Sequence, residues 1–326
     1  VRLRNVTLFT ALPLALATAG CGPDKQPEPA PATAASAPAP PTPATIPPPI
    51  FEERAEAAGM NFKMVFLASE QGENFKINLY DHGCAVAVAD YDGDGKDDVY
   101  FTNELERNAL FHNDGDGKFS DVTATTGADL GLRDRICVGA TFADYDNDGR
   151  SDLYVATTRA GNVLFHNDGN GKFSDVTKKA GVTLVAHSET GTFFDADLDG
   201  DLDLYVTNTA KWTTDSYDKA EHHFSGPPKL WDLLAAEHEP NVYYRNNGNG
   251  TFTDVTADAG LEGQGWGGDC AVFDYDSDGF PDLFVANMFG GSQLFHNDGH
   301  ARFTDVTRPV LRKISFGAMG ARAFDY

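Results

Sequence analysis

Four carboxylates, Asp144, Asp146, Asp148 and Asp152, fall within nine residues of the stretch "ADYDNDGRSDLYVAT". Like charges at this density repel and raise one another's pKa. The chemistry they offer is the enclosure of a cation, the alternative being a solvated acidic turn. The pattern recurs: "ADYDGDGKDDVYFTN" begins at Ala89, "FDADLDGDLDLYVTN" at Phe194 and "FDYDSDGFPDLFVAN" at Phe273. Numbered from the first Asp, carboxylates stand at positions 1, 3, 5 and 9 in every copy. The other three sets are Asp90, Asp92, Asp94 and Asp98; Asp195, Asp197, Asp199 and Asp203; and Asp274, Asp276, Asp278 and Asp282. Gly95, Gly149, Gly200 and Gly279 at position 6 permit a sharp turn. The position-7 carbonyl, of Lys96, Arg150, Asp201 or Phe280, adds a further oxygen. Hard oxygen donors in this number suit Ca²⁺ better than Mg²⁺, which prefers tighter octahedral sites. No His or Cys lies within the loops, which argues against Zn²⁺. Four repetitions of one donor set favour about four Ca²⁺ sites over four coincidental turns.

An EF-hand loop begins in the same way but needs Glu at position 12 and flanking helices. Position 12 is Phe101, Val155, Val206 or Val285, each within a strand-like run. The elements that hold the loops are therefore strands. A Gly- and Ala-rich apolar run enters each loop, and an alternating run such as "DLYVATT" leaves it. A second motif follows: "LFHNDGDGKFSDVT" from Leu110, "LFHNDGNGKFSDVT" from Leu164, "YYRNNGNGTFTDVT" from Tyr243 and "LFHNDGHARFTDVT" from Leu294. It reads as a third and a fourth strand joined by a turn of Asn, Asp and Gly. The first Asp of successive loops are separated by 54, 51 and 79 residues, so the third unit carries an insertion, about 210–241. Units of some 50 residues with four antiparallel strands predict an all-β fold, a β-propeller of four-stranded blades. His112, His166 and His296 recur at equivalent strand ends, with Arg245 in the third unit, and this pattern predicts packing around the turn.

The whole chain has 326 residues and a formal charge of −24, and residues 51–326 alone carry 22 basic and 47 acidic side chains. Such a body repels phosphate backbones and anionic lipid, which excludes nucleic acid as a partner and favours cations. The chain starts differently. Arg2 and Arg4 precede the 14-residue apolar run "VTLFTALPLALATA", which is followed by "GC". That run is short for a membrane span of about 20 residues and reads as an export signal over 1–20. Residues 22–50 hold 11 of the 17 prolines. They form a tether whose extended reach is roughly 90 Å at about 3.1 Å per residue. Cys84, Cys137 and Cys270 each sit in an apolar run before an acidic loop and read as buried small hydrophobes.

The insertion holds Trp212 and Trp231, with His222, His223 and His238. Its segment "KLWDLLAAEHE" predicts a short helix. Trp212, Trp231, His222 and His223 are candidate ligand-binding residues, the aromatic rings as stacking surfaces for sugars; a packed cap on the blade is the alternative. No nucleophile elbow, phosphate loop or zinc signature is present, so no catalytic residue is assigned.

The four D-x-D-x-D-G-x-x-D loops make residues 51–326 resemble the FG-GAP/VCBS repeat family, whose calcium loops also occur in integrin α-subunit propellers. "SFG" at 315–317 and "GWGG" at 265–268 match the Phe-Gly element. "LFHNDGNGKFSDVT" is similar to the bacterial ASPIC/UnbV (cartilage acidic protein-like) type, and "LATAGC" resembles a bacterial lipobox. The resemblance implies acylation of Cys21, a membrane-anchored lipoprotein at the outer membrane or in the periplasm, and a propeller of about seven blades with a binding or adhesion role toward a protein or glycan. Asp325 and Tyr326 would open a fifth loop, so this chain is expected to be part of a longer one. An enzyme or enzyme accessory acting on extracellular polymers is the alternative function, with chemistry in the insertion or beyond Tyr326.

Overall fold

The computed structural model describes residues 52–65, 85–214, 216–218, 223–224, 231–232, 235–314, 317–318 and 320–323. The export signal, the tether and Cys21 lie outside these residues, as do Cys84, His222, Asp325 and Tyr326.

Each repeat unit folds into one four-stranded antiparallel sheet whose strands follow chain order. The first sheet comprises β1 (Val86–Ala89), β2 (Asp98–Phe101), β3 (Ala109–Gly115) and β4 (Lys118–Asp121). The second comprises β5 (Cys137–Ala143), β6 (Asp152–Thr157), β7 (Val163–Gly169) and β8 (Lys172–Asp175). The third begins with β9 (Ser188–Phe194) and β10 (Asp203–Asn208). A two-stranded hairpin in the insertion follows, β11 (Tyr217–Asp218) and β12 (His223–Phe224). The third sheet is then completed by β13 (Val242–Asn246) and β14 (Phe252–Asp254). The fourth comprises β15 (Gly267–Phe273), β16 (Asp282–Asn287), β17 (Gln293–Asn297) and β18 (Phe303–Asp305).

The first strands of the sheets, β1, β5, β9 and β15, neighbour one another in that order. Radial succession of meander sheets about their first strands is the arrangement of β-propeller blades. Three apolar clusters fill the spaces between successive blades. The joints also share a polar contact. Asn167 Nδ2 donates to the Tyr91 carbonyl, Asn246 Nδ2 to Tyr145 and Asn297 Nδ2 to Ala196, each at 2.7 Å. The Asn at the second position of each "HND" or "RNN" motif thus ties its blade to the acidic loop of the blade before.

Within a blade, the "DVT" motif forms a clip. Thr177 Oγ1 donates to Asp175 Oδ1 at 2.6 Å while accepting the Leu164 N–H at 2.9 Å. Thr123, Thr256 and Thr307 accept the equivalent N–H of Leu110, Tyr243 and Leu294. Cys137 and Cys270 are buried, as their apolar runs predict.

The insertion is closed at its root by the Ala210–His238 bridge. Residues 231–232 are helical; Leu233 and Leu234, in the middle of the predicted helix, lie outside the described residues.

Candidate functional site: four acidic loops and the histidines beside them

Each acidic loop connects the first and second strands of its blade, and its first Asp nucleates the turn. Asp90 accepts the N–H of Gly93, Asp94 and Gly95 at 2.8–3.0 Å. Asp144, Asp195 and Asp274 accept the position-5 and position-6 N–H groups in the same way. The glycines at position 6 have φ between +85° and +97°, a region that a side chain disfavours. Position 4 is also left-handed, and there Asn147, Leu198 and Ser277 adopt φ of +60° to +65°.

The position-9 carboxylates form the floor. Asp98, Asp152, Asp203 and Asp282 are at most 2 % exposed. One oxygen of each accepts an N–H from the third strand, Asn113, Asn167, Asn246 or Asn297, at 2.7–2.9 Å. The other accepts the N–H of Tyr91, Tyr145 or Tyr275 in three loops, and the Tyr243 hydroxyl at 2.6 Å in the loop that begins at Asp195. Burial raises these carboxyls in the cation-free form, Asp152 to about 7 and Asp203 to about 6. Asp146 and Asp197 at position 3 are raised as well, by burial and then by neighbouring carboxylates. Asp146 Oδ1 is buried with no hydrogen-bond partner.

The structure brings oxygens of Asp90, Asp92 and Asp98 within 4.8 Å of one another, and likewise those of Asp144, Asp146 and Asp148. Convergent carboxylates on a turn with orphaned oxygen capacity fit a hard divalent cation. In two loops the position-7 side chain leans onto the rim, where Lys96 pairs with Asp94 and Arg150 with Asp148. The other two loops carry Asp201 and Phe280 there.

No His stands within the loops, but imidazoles from the third strand face three of them. His112, His166 and His296 come from the third strand and stand over the carboxylates. His166 Nδ1 lies 3.1 Å from Asp152 Oδ1 and 3.4 Å from Asp146 Oδ2. The sequence pattern hid this contact because the hairpin connection from loop to third strand sets it. An edge-on Tyr backs each ring: Tyr91 on His112, Tyr145 on His166 and Tyr275 on His296, with centroids 5.7–6.4 Å apart. A cavity of 260 Å³ opens beside Asp146 and His166, lined also by Lys179 and the Gly248–Gly250 turn of the next blade.

The insertion candidates separate. Trp212 is 2 % exposed and packs 5.1 Å from His187, so it belongs to the core and offers no stacking surface. Trp231 is 76 % exposed. His223 lies on β12, with only its backbone described, and His222 is outside the described residues. Sequence reasoning missed His187, Glu239 and Thr213. His187 Nδ1 meets Glu239 Oε2 at 2.8 Å, and its Nε2 meets Thr213 Oγ1 at 2.8 Å. Thr213 is 6 % exposed and also receives Arg159, so this buried relay anchors the root of the insertion.

The FG-GAP-like repeat pattern matches residues 90–155, 144–206, 229–285 and 274–326. Cartilage acidic protein 1 of Homo sapiens is 26 % identical over 267 residues, covering 77 % of this chain and 36 % of that protein. The Xenopus tropicalis protein of the same name is 25 % identical over 243 residues, covering 68 % and 34 %. The chain thus spans about a third of the length of the curated relatives it matches. A solved Agrocybe aegerita lectin, described for specific recognition of non-reducing terminal N-acetylglucosamine, aligns with a TM-score of 0.35 and 19 % identity, over 71 % of this chain and 51 % of that one.

Proposed function

The chain belongs to the FG-GAP-like repeat family, and from that membership we propose that it is a calcium-stabilised binding or adhesion module, tethered at a membrane surface and presenting a propeller face to a protein or glycan ligand. One observation carries this reading. The same carboxylate set recurs in each blade, and a set repeated in every blade is not the single constellation that an active site needs. Repetition suits rigidification instead. Ca²⁺ at about four sites would join the first and second strands of every blade, and a site at 100 times its Kd adds about 2.7 kcal/mol to the folded state.

The lipobox-like stretch ending at Cys21 and the Pro-rich segment support anchoring through an N-terminal lipid. Among the described residues no helix is long and apolar enough to cross a membrane. Among the described residues of the insertion, Trp231 and Tyr217 are exposed aromatic residues available for ligand contact. The full chain is to be tested on glycan and extracellular-protein arrays, in calcium and in chelator, beside a Trp231→Ala variant. Calcium-dependent retention of a ligand, weakened by the substitution, is expected. Hydrolysis of a polymer by the same preparation would overturn the non-catalytic reading.

A further inference from the structure

The segment that leads into the first blade is built like one that leaves a blade. At the end of each fourth strand, an acidic side chain accepts the N–H two residues on. Asp121 takes it from Thr123, Asp175 from Thr177, Asp254 from Thr256 and Asp305 from Thr307, at 2.9–3.1 Å. Glu53 Oε1 accepts the Ala55 N–H in the same way, at 2.7 Å. A helical turn then closes on a left-handed glycine, Gly181 in the second blade, Gly260 in the third and Gly59 here. The Met60 N–H returns to the Ala55 carbonyl, as those of Val182 and Leu261 return to Thr177 and Thr256. The stretch "FEERAEAAG" over 51–59 keeps the Phe, acid and Ala-Gly spacing of "FSDVTKKAG" over 173–181.

The turn also has the same seat. Each such glycine lies against the fourth-strand Phe carbonyl of the blade that follows. A Cβ on Gly181 would stand 3.1 Å from the Phe252 oxygen, and one on Gly260 would stand 2.7 Å from that of Phe303. A Cβ on Gly59 would stand 2.5 Å from the Phe119 oxygen of the first blade. Phe62 then stacks on Phe101, with centroids 4.9 Å apart. Yet Asp24 is the sole aspartate before Asp81, so residues 1–52 contain no acidic loop of a blade to which this turn could belong.

The face that such a blade would cover is open. In later blades the position of Val86 faces the blade before. Cys270 Sγ donates to Thr192 Oγ1 at 3.0 Å, and a Cβ on Gly191 would meet the Tyr154 ring. Gly191 and Cys270 are buried there, whereas Val86 and Val88 are 58 % and 56 % exposed. The cross-blade amide lacks its acceptor as well. Asn167, Asn246 and Asn297 each donate through Nδ2 to a carbonyl of their own blade and to one of the blade before. Among the described residues, Asn113 Nδ2 donates only to the Asp97 carbonyl of its own blade.

We propose that residues 53–62 are the exit turn of a closing blade, and that the Val86–Val88 face receives the sheet of that blade, supplied by a further repeat of the same polypeptide. The repeat pattern runs toward this source. Its fourth match extends to residue 326, and the Ala318 N–H donates to the Asn287 carbonyl as the Cys137 N–H of the second blade donates to Asn103 of the first. The docking sheet has to bring apolar side chains to the two valines and a loop carbonyl to Asn113. This closure goes beyond the ligand reading and does not depend on calcium in the loops.

The test compares the polypeptide carrying all of its repeats with the same polypeptide stopped at Tyr326. Val88→Cys is placed in both, and maleimide labelling at that position is followed by tandem mass spectrometry. Labelling should be at least about tenfold slower in the longer polypeptide, as expected for a group reached only by local opening. The difference should hold at every protein concentration, in calcium and in chelator. Gly59→Val, which sets a side chain against the Phe119 carbonyl, should return the longer polypeptide to the faster rate. Equal rates in the two polypeptides would overturn the proposal. Protection of the shorter one that grows with its concentration would do so too, because a second copy would then be the occupant. A rate unmoved by Gly59→Val would remove the exit turn from the closure. Hydroxyl-radical footprinting of Val86 and Val88 in the unaltered polypeptides gives the same comparison if the cysteine variant does not fold.

Discussion

Asp152 is 1 % exposed, and its carboxyl is pushed up to about 7 by burial; Asp203 follows at about 6. In the cation-free protein the folded state therefore holds protons that the unfolded chain releases at about pH 4. The stability tied to these protons is complete below about pH 4 and is lost as pH rises toward 7. Asp121, Asp305 and Glu239 are shifted the other way, the last by its hydrogen bond to His187 overcoming burial, and they act only below about pH 4.5. In chelator, the melting temperature should fall between pH 5 and about 7.5. In calcium it should not, because a bound cation would hold the ionised carboxylates and its affinity would grow as protons leave. Calorimetry at matched pH checks both limbs, and a rise with pH in chelator would contradict the burial argument. Asp152→Asn sharpens the test. Its amide nitrogen would face the Tyr145 N–H, leaving a buried donor unsatisfied at a cost of about 1–3 kcal/mol. Loss of one of four sites should also reduce the calcium-dependent stabilisation by about a quarter, as a calcium titration followed by circular dichroism would show.

The strands that place these carboxylates were largely readable, because alternation and the Asp-Gly turns mark the beginning and end of each one. The predicted order of apolar run, loop, "DLYVATT" and "LFHNDG" is the order β5, acidic loop, β6 and β7. What one chain's pattern cannot give is cross-strand neighbourhood. His166 is 14 residues from Asp152, and the hairpin connection between β6 and β7 alone brings them to 3.1 Å. Trp212 misled for a related reason, since the Ala210–His238 bridge turns the root of the insertion inward and buries the ring. The glycines of the Gly- and Ala-rich first strands set how closely blades approach. A Cβ on Gly191 would lie 2.5 Å from the Tyr154 ring, and one on Gly139 would lie 2.2 Å from the Glu189 carbonyl. Gly191→Ala should therefore cost about 1–3 kcal/mol by overpacking. Gly200→Ala, with open space around it but φ of +94°, should cost about 1–2 kcal/mol by backbone strain alone. Urea denaturation distinguishes them, because Tyr154→Leu in the same chain should recover part of the first loss and none of the second.

For the molecule as a whole, bound calcium would have two ways to stabilise. The chain carries a net charge of −24, and four divalent ions would cancel a third of it. Relief of general repulsion requires no particular site, and any salt supplies it, since exposed charges are screened within about 8 Å at physiological ionic strength. Coordination instead requires the loops, and acts between the first and second strands of each blade. The two accounts diverge in concentrated monovalent salt. At about 0.5 M NaCl, where the screening length falls below that value, repulsion is already suppressed and further screening gains little. Millimolar calcium added on that background should still raise the melting temperature by several degrees. Each kcal/mol is worth about 2–4 °C in a body of this size, and four partly filled sites contribute a few kcal/mol together. Because the loops recur in consecutive blades joined by Asn167, Asn246 and Asn297, the transition should shift as one step rather than splitting blade by blade. A calcium effect that disappears in NaCl would assign the acidic loops to solubility and charge, whereas one that persists, and is larger than that of Mg²⁺, requires convergent ligands of the size and flexibility that calcium accepts.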